Sequence, residues 1–211
     1  MNESFINKNL IPKDIPEVDE NNSEKLDIKF RLAGPDDWEK CKKIRIMSLA
    51  SDDGRMLGVT AKNKEKLLKK EENKSEDEWR AELSDVNKIT FLPENGEDSI
   101  GISRATKARN NAWNLHNTYI EKAFRDKGFG KKLFAERLRE IIKRGGTEAR
   151  GFIKIDNITN LHIVECFGAK IVNKVFALTK YGIRSKNYKV IELDLTNPEV
   201  IKKIGEVLNE G

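Results

Sequence analysis

The sequence predicts an α/β fold on a mixed, mainly antiparallel central sheet of about seven strands flanked by helices. Three observations carry this. Short runs of alternating apolar and polar residues recur along the chain, helical stripes separate some of them, and three strand-like runs follow one another without a helix. Strands that succeed one another directly pair antiparallel, whereas strands split by a helix can run parallel, so the sheet is mixed.

The elements follow in order. Residues 1–26 combine Asn, Glu, Lys and Pro with isolated apolar residues, and read as a flexible polar tail before a domain at 27–196. DIKFRLA (27–33) alternates Ile28, Phe30 and Leu32 with polar residues, as a strand does. Pro35, Asp36 and Asp37 open a helix, with Trp38, Cys41, Ile44 and Leu49 along one face. A second helix is predicted near 62–71, and a third begins at Ser75, where Glu78 three residues on completes a capping box. NKITFLP and DSIGISRAT are strands joined through Asn95-Gly96, a hairpin signal, and AWNLHNTYI is the next strand, ending at Ile120. After Gly128, the residues Phe129, Leu133, Phe134, Leu138, Ile141 and Ile142 form one apolar helical stripe, with Lys and Arg opposite. GFIKID is a strand, 158–167 a short helix, and KIVNKVFALTK and NYKVIELDL the last two strands. Asn197-Pro198 then starts a helical extension over 197–211.

Composition excludes several classes. The 211 residues suit one domain with appendages. No apolar run approaches the ~20 residues that span a bilayer. The N-terminus has neither a basic start nor an apolar core, so no signal peptide is expected there. Cys41 and Cys166 have no metal or redox spacing and are expected as reduced thiols, with no metal site. A cytoplasmic protein without membrane contact is the expectation. Net charge is +5, but residues 1–26 hold three Lys against six acids, while 121–150 hold ten Lys or Arg against five acids. Such a basic stretch attracts phosphate groups.

Within that stretch stands Arg125-Asp126-Lys127-Gly128-Phe129-Gly130, after a strand and at the start of a helix. Neither GxxxxGK[ST] nor GxGxxG is present. A helix N-terminus offers unpaired N–H groups and about half a positive charge, and glycines let a pyrophosphate approach. The strand, the R-x-x-G-x-G turn and the amphipathic helix resemble motif A of the GNAT N-acetyltransferase superfamily. Ile120, five residues before Arg125, matches as well, and Asn157 stands eleven residues before Gly168 as in the family's N-x(10)-G segment. The resemblance spans about 27–196. It implies a sheet splayed between strands 4 and 5 and acetyl transfer from acetyl-coenzyme A (acetyl-CoA) to an amine. It also implies that Arg125, Asp126, Lys127, Gly128, Phe129, Gly130 and Lys131 hold the pyrophosphate. Thr118, Tyr119 and Ile120 would pair with the pantetheine arm like an added strand, and Asn157 would contact the arm beyond the splay.

Two positions depart from the family. Many members carry Tyr seven residues after that Asn and several carry Glu eleven before that Arg; here Val164 and Asn114 stand there. His116, whose ordinary pKa is near neutrality, is then the best base by type, and Tyr119 is a candidate proton donor. His162 lies one turn from Val164, and Cys166 has no identifiable base. The acceptor is an amine of a small molecule or protein. A catalytically weak or inactive acyl-CoA-binding module is the alternative. Nucleic acid is not an expected partner, because the aromatics near the basic stretch keep a core period rather than forming a stacking surface. A homodimer through the C-terminal helix stays open.

Overall fold

The computed structural model describes residues 26–51, 61–172 and 188–210. Residues 1–25 of the expected tail at 1–26 and most of the strand read over 170–180 lie outside them. Among the described residues eight strands form one open sheet: β1 (Ile28–Leu32), β2 (Lys88–Asn95), β3 (Asp98–Ser99), β4 (Gly101–Lys107), β5 (Ala112–Ile120), β6 (Glu148–Lys154), β7 (Lys170–Val172) and β8 (Tyr188–Asp194). Their order across the sheet is β1-β2-β4-β5-β6-β8-β7, with β3 paired to β2 alone. Every pairing is antiparallel except β5 with β6. The predicted mixed sheet is therefore observed. The hairpin also forms, but its two loop residues are Gly96 and Glu97, since Asn95 pairs with Asp98.

Among the described residues six α-helices cover the two faces: α1 (Trp38–Ala50), α2 (Ala61–Glu72), α3 (Glu76–Ser84), α4 (Phe129–Lys143), α5 (Ile158–Cys166) and α6 (Pro198–Asn209). The capping box at Ser75 is present, with Glu78 N–H donating to Ser75 Oγ at 3.2 Å and Ser75 N–H to Glu78 Oε2 at 2.8 Å. On one face, α4 packs Leu133, Phe134, Leu138 and Ile141 against Trp113, Leu115, Ala149 and Ile191. On the other, Cys41 and Ile44 of α1 and Trp79 of α3 close over Leu92 and Ile102. Val200, Ile204 and Val207 of α6 are buried in the first core, so this helix covers the domain. Each fully buried aliphatic or aromatic side chain contributes about 1.5–3 kcal/mol. No helix among the described residues is long and apolar enough to cross a membrane.

Two irregularities shape the centre of the sheet. Ile102 pairs with Tyr119 and Arg104 with His116, so β5 carries one more residue than β4 between these pairs. Asn117 absorbs the extra residue at φ 52°, a left-handed conformation that Asn tolerates better than most residues. An inserted residue flips the alternation of side chains. Before the bulge Trp113 and Leu115 face the α4 core; after it Ile120 does, while Tyr119 turns to the α1 core. The second irregularity is the β5–β6 pairing, which joins only residues 112–115 to 148–151. Beyond that point β5 stays with β4 and β6 with β8, and the two strands part. This is the predicted splay, with the short β3 added to the strand count.

Candidate active site

A cleft of about 310 Å³ opens where β5 leaves β6. The end of β5 supplies Thr118, Tyr119 and Ile120, the following turn Arg125, Asp126, Gly128, Gly130 and Lys131, and the α5 side Asn157. Nine of the eleven residues expected at a cofactor thus converge on one cleft. Lys127 and Phe129 do not line it; Lys127 is exposed and Phe129 half-buried. Ser48, Leu49 and Ser51 at the end of α1 and Thr159, Asn160, His162 and Ile163 of α5 complete the wall. Of these, sequence reasoning weighs only His162 near the site and misses the others, although α5 follows directly from Asn157.

The turn is built to present N–H groups. Arg125 Nε donates to the Ile120 carbonyl at 2.9 Å, and its guanidinium lies 5.7 Å from the Tyr119 ring centroid. The arginine therefore ties the turn to the end of the strand. Asp126 at φ 61° and Gly128 at φ 81° bend the chain so that it enters α4 abruptly. Gly128 is the N-cap and no side chain caps the helix; Lys131 and Lys132 N–H turn back to the Gly128 carbonyl, so the Phe129 and Gly130 N–H groups keep their donors for a ligand. Gly130 brings α4 close to α5: a Cβ there would lie 3.4 Å from Ile163 Cδ1. Asn157 Oδ1 accepts from Asn160 N–H at 3.3 Å and so starts α5 at the opposite wall. A positive helix end with open donors, a left-handed turn and nearby lysines fits a phosphate-bearing ligand.

Solved structures share this fold. The chain aligns with a PaiA N-acetyltransferase from Thermoplasma acidophilum in complex with coenzyme A at a TM-score of 0.59 and 15% identity, over 79% of this chain and 98% of that one. A GNAT-family acetyltransferase from Streptococcus pneumoniae gives 0.55 at 18% identity, over 78% and 97%. An aminoglycoside 6'-acetyltransferase type Ii gives 0.57 at 14% identity, over 79% and 97%. The fold is that of the GNAT acetyltransferases. At these identities the likeness is one of fold, and no protein-family model or curated protein matches the sequence.

Within the GNAT fold, the base expected from residue type needs correction. His116 sits just before the bulge, and its Nε2 is 2.8 Å from Thr106 Oγ1. Burial first, then the charges of Arg104, Arg137 and Arg45, push its pKa down to about 3. At neutral pH the imidazole is uncharged and a very weak base. His116 does not line the cleft but a smaller cavity in the splay itself. Tyr119 does line the cleft and is half-buried. Val164 is buried on α5 and Asn114 exposed on β5, so neither supplies an acid or base. Glu121, directly after β5, is held above the usual carboxylate range, chiefly by burial.

Two further side chains differ from expectation. Arg137 does not lie on the charged face of α4; it is 2% exposed and reaches the splay cavity. Cys166 has a histidine beside it after all, with His162 Nε2 at 3.7 Å from its sulfur, one helical turn away. Cys41 is fully buried, and burial pushes its thiol up to about 12. No cluster of three or more His, Cys, Asp or Glu residues suited to a metal occurs among the described residues.

Proposed function

We propose that this protein is an acetyl-CoA-dependent N-acetyltransferase, moving an acetyl group to an amine of a small molecule or protein by direct attack on the thioester. One observation carries the reading: the last residues of β5, the turn at 125–131 and Asn157 line one cleft at the point where the sheet opens. The neighbour solved with coenzyme A shares the fold that builds this cleft.

The N–H groups at the start of α4, with Lys131, would hold the pyrophosphate. The backbone of residues 118–120, left without a partner strand on the β6 side, would pair with the extended arm. Bound there, acetyl-CoA supplies an electrophilic carbonyl joined to a thiol leaving group. Tyr119 is the proposed donor to that thiol, because it lines the cleft and its ring lies beside Arg125. His116 is not proposed as the base. An amine that arrives neutral needs only a weak acceptor such as water; Glu121, directly after β5, is a carboxyl that burial has made more basic.

A second reading is favoured by Asn114, Val164 and the depressed His116: a GNAT-fold module that binds an acyl-CoA with little turnover. Incubation with acetyl-CoA and a panel of amines, followed by release of free thiol, separates the two. Turnover that falls about tenfold or more in Tyr119→Phe, within the range for lost acid–base assistance, supports the transferase. Cofactor binding without turnover on any amine supports the module.

A further inference from the structure

The splay cavity holds a charge that the cleft and the core leave uncompensated. Arg45, Arg104 and Arg137 are all buried. Arg45 pairs with Glu71 at 3.3 Å, and Arg104 pairs with Glu82. Arg137 pairs with no carboxylate among the described residues: burial alone acts on its ionisation. Both of its hydrogen bonds leave from Nη1, to the Arg104 carbonyl at 3.2 Å and to Thr118 Oγ1 at 2.9 Å. Its Nε is buried with no partner, and the Phe134 ring centroid at 5.2 Å offers only a cation–π contact. A buried ion in this state is costly unless a counter-charge arrives.

Position says where that counter-charge would come from. The cavity measures about 90 Å³, and Arg137, Phe152, Ile153 and Val164 are among the residues around it. It shares Thr118, Gly130, Asn160 and Ile163 with the cleft, so it opens off the cleft where β5 and β6 part. The inference rests on the acyl-CoA reading, in which the thioester is presented at that opening and the acyl chain points beyond it.

We propose that the splay cavity is an acyl subsite for a short dicarboxylic acyl group of the succinyl type, whose terminal carboxylate pairs with Arg137. The apolar walls suit the methylenes. The volume is room for about three waters at ~30 Å³ each, enough for a short carboxylated chain but not a long acyl tail. Guanidinium and carboxylate match as charged, hydrogen-bonding partners. The transfer balances as ordinary aminolysis. The amine nitrogen bonds to the thioester carbonyl carbon, the carbon–sulfur bond breaks, and the proton lost by the amine ends on the coenzyme A thiol. The distal carboxylate takes no part in bond making.

Calorimetric titration with coenzyme A, acetyl-CoA, butyryl-CoA and succinyl-CoA tests this. Butyryl has the same chain length as succinyl without the charge. Succinyl-CoA is expected to bind at least tenfold tighter than butyryl-CoA to the full chain. In Arg137→Met that preference should vanish while coenzyme A itself binds within about threefold, and Arg137→Lys should retain part of it. Equal binding of the two thioesters by the unaltered protein overturns the proposal, and needs no variant to fold. A preference that survives in Arg137→Met also overturns it, and leaves Arg137 as a brace for Thr118 and the bulge. If coenzyme A itself does not bind, the acyl-CoA reading falls and takes this inference with it; if it binds without a succinyl preference, this inference alone falls.

Discussion

Within β5, residues 113–115 are paired on both sides, to β4 and to β6, and carry Trp113 and Leu115 into the main core. Beyond them Tyr119 and Ile120 pair with β4 alone, Asn117 and Thr118 fall in the bulge, and none of the four pairs with β6. Asn117 at φ 52° stands between the two regimes. In the first half the strand has a partner strand on each side, and Trp113 and Leu115 fill the core. In the second half free backbone groups and half-buried polar side chains border two cavities. One strand thus anchors the fold and opens a binding edge, and the bulge separates the two duties.

That contrast predicts effects of different size and kind. The largest lies in the first half. Trp113→Ala should lower stability by about 3–5 kcal/mol through loss of a fully buried indole. Denaturant unfolding measures it, and the folded fraction should keep its ligand affinity. A loss below about 1 kcal/mol would mean that this half is not the anchor.

His116, at the boundary, gives a pH signature. Its folded pKa of about 3 lies below the ordinary value near 6.5, so the unfolded chain binds the extra proton between them. The stability tied to neutral His116 is complete above pH 6.5 and is lost as pH falls towards 3. Thr106, Arg104, Arg137, Arg45 and Lys88 face this group, and none of them carries a negative charge to rescue the imidazolium. From pH 6.5 to pH 5 the loss should reach about 1.5 kcal/mol. This window lies above the titration of Asp37 and Glu94, whose pKa values their hydrogen bonds with Arg31 hold low. His116→Gln should flatten the slope there; an unchanged slope would assign it to other groups.

In the second half the effects should fall on binding. Arg125→Ala frees the turn from the Ile120 carbonyl and should weaken coenzyme A binding about tenfold, roughly 1.4 kcal/mol. Its effect on stability should stay below about 1 kcal/mol. The smallest effect concerns the bulge itself. Asn117→Ala should cost about 1 kcal/mol by forcing a Cβ-bearing residue without local hydrogen bonding into φ 52°, and Asn117→Gly should be near neutral. Equal stability of the two variants would mean that the bulge relaxes freely.

Much of this was legible in the sequence, for physical reasons. The α4 stripe and the glycine turn signal themselves through a 3.6-residue period and through residues that accept φ 81° at Gly128. The splay came from the family resemblance rather than from periodicity. The bulge was hidden because AWNLHNTYI keeps its alternation on paper while Asn117 breaks it in space. Arg137 was counted with the charged face by residue type, yet it stands four residues from both Leu133 and Ile141, and spacing alone assigns it to the buried side. His116 was judged by its ordinary pKa, which burial among arginines removes. Contact between His162 and Cys166 follows from their i, i+4 spacing once α5 is taken as helical.

The central claim is that the cleft beside the splay holds coenzyme A through the turn at 125–131. Its most direct test is titration of the full chain with coenzyme A by calorimetry, repeated on Gly128→Val. We predict one saturable site per chain, and binding at least about tenfold weaker in the variant, because a β-branched residue resists φ 81° and distorts the uncapped start of α4. No binding to the unaltered protein, or binding of equal strength in both, would contradict it.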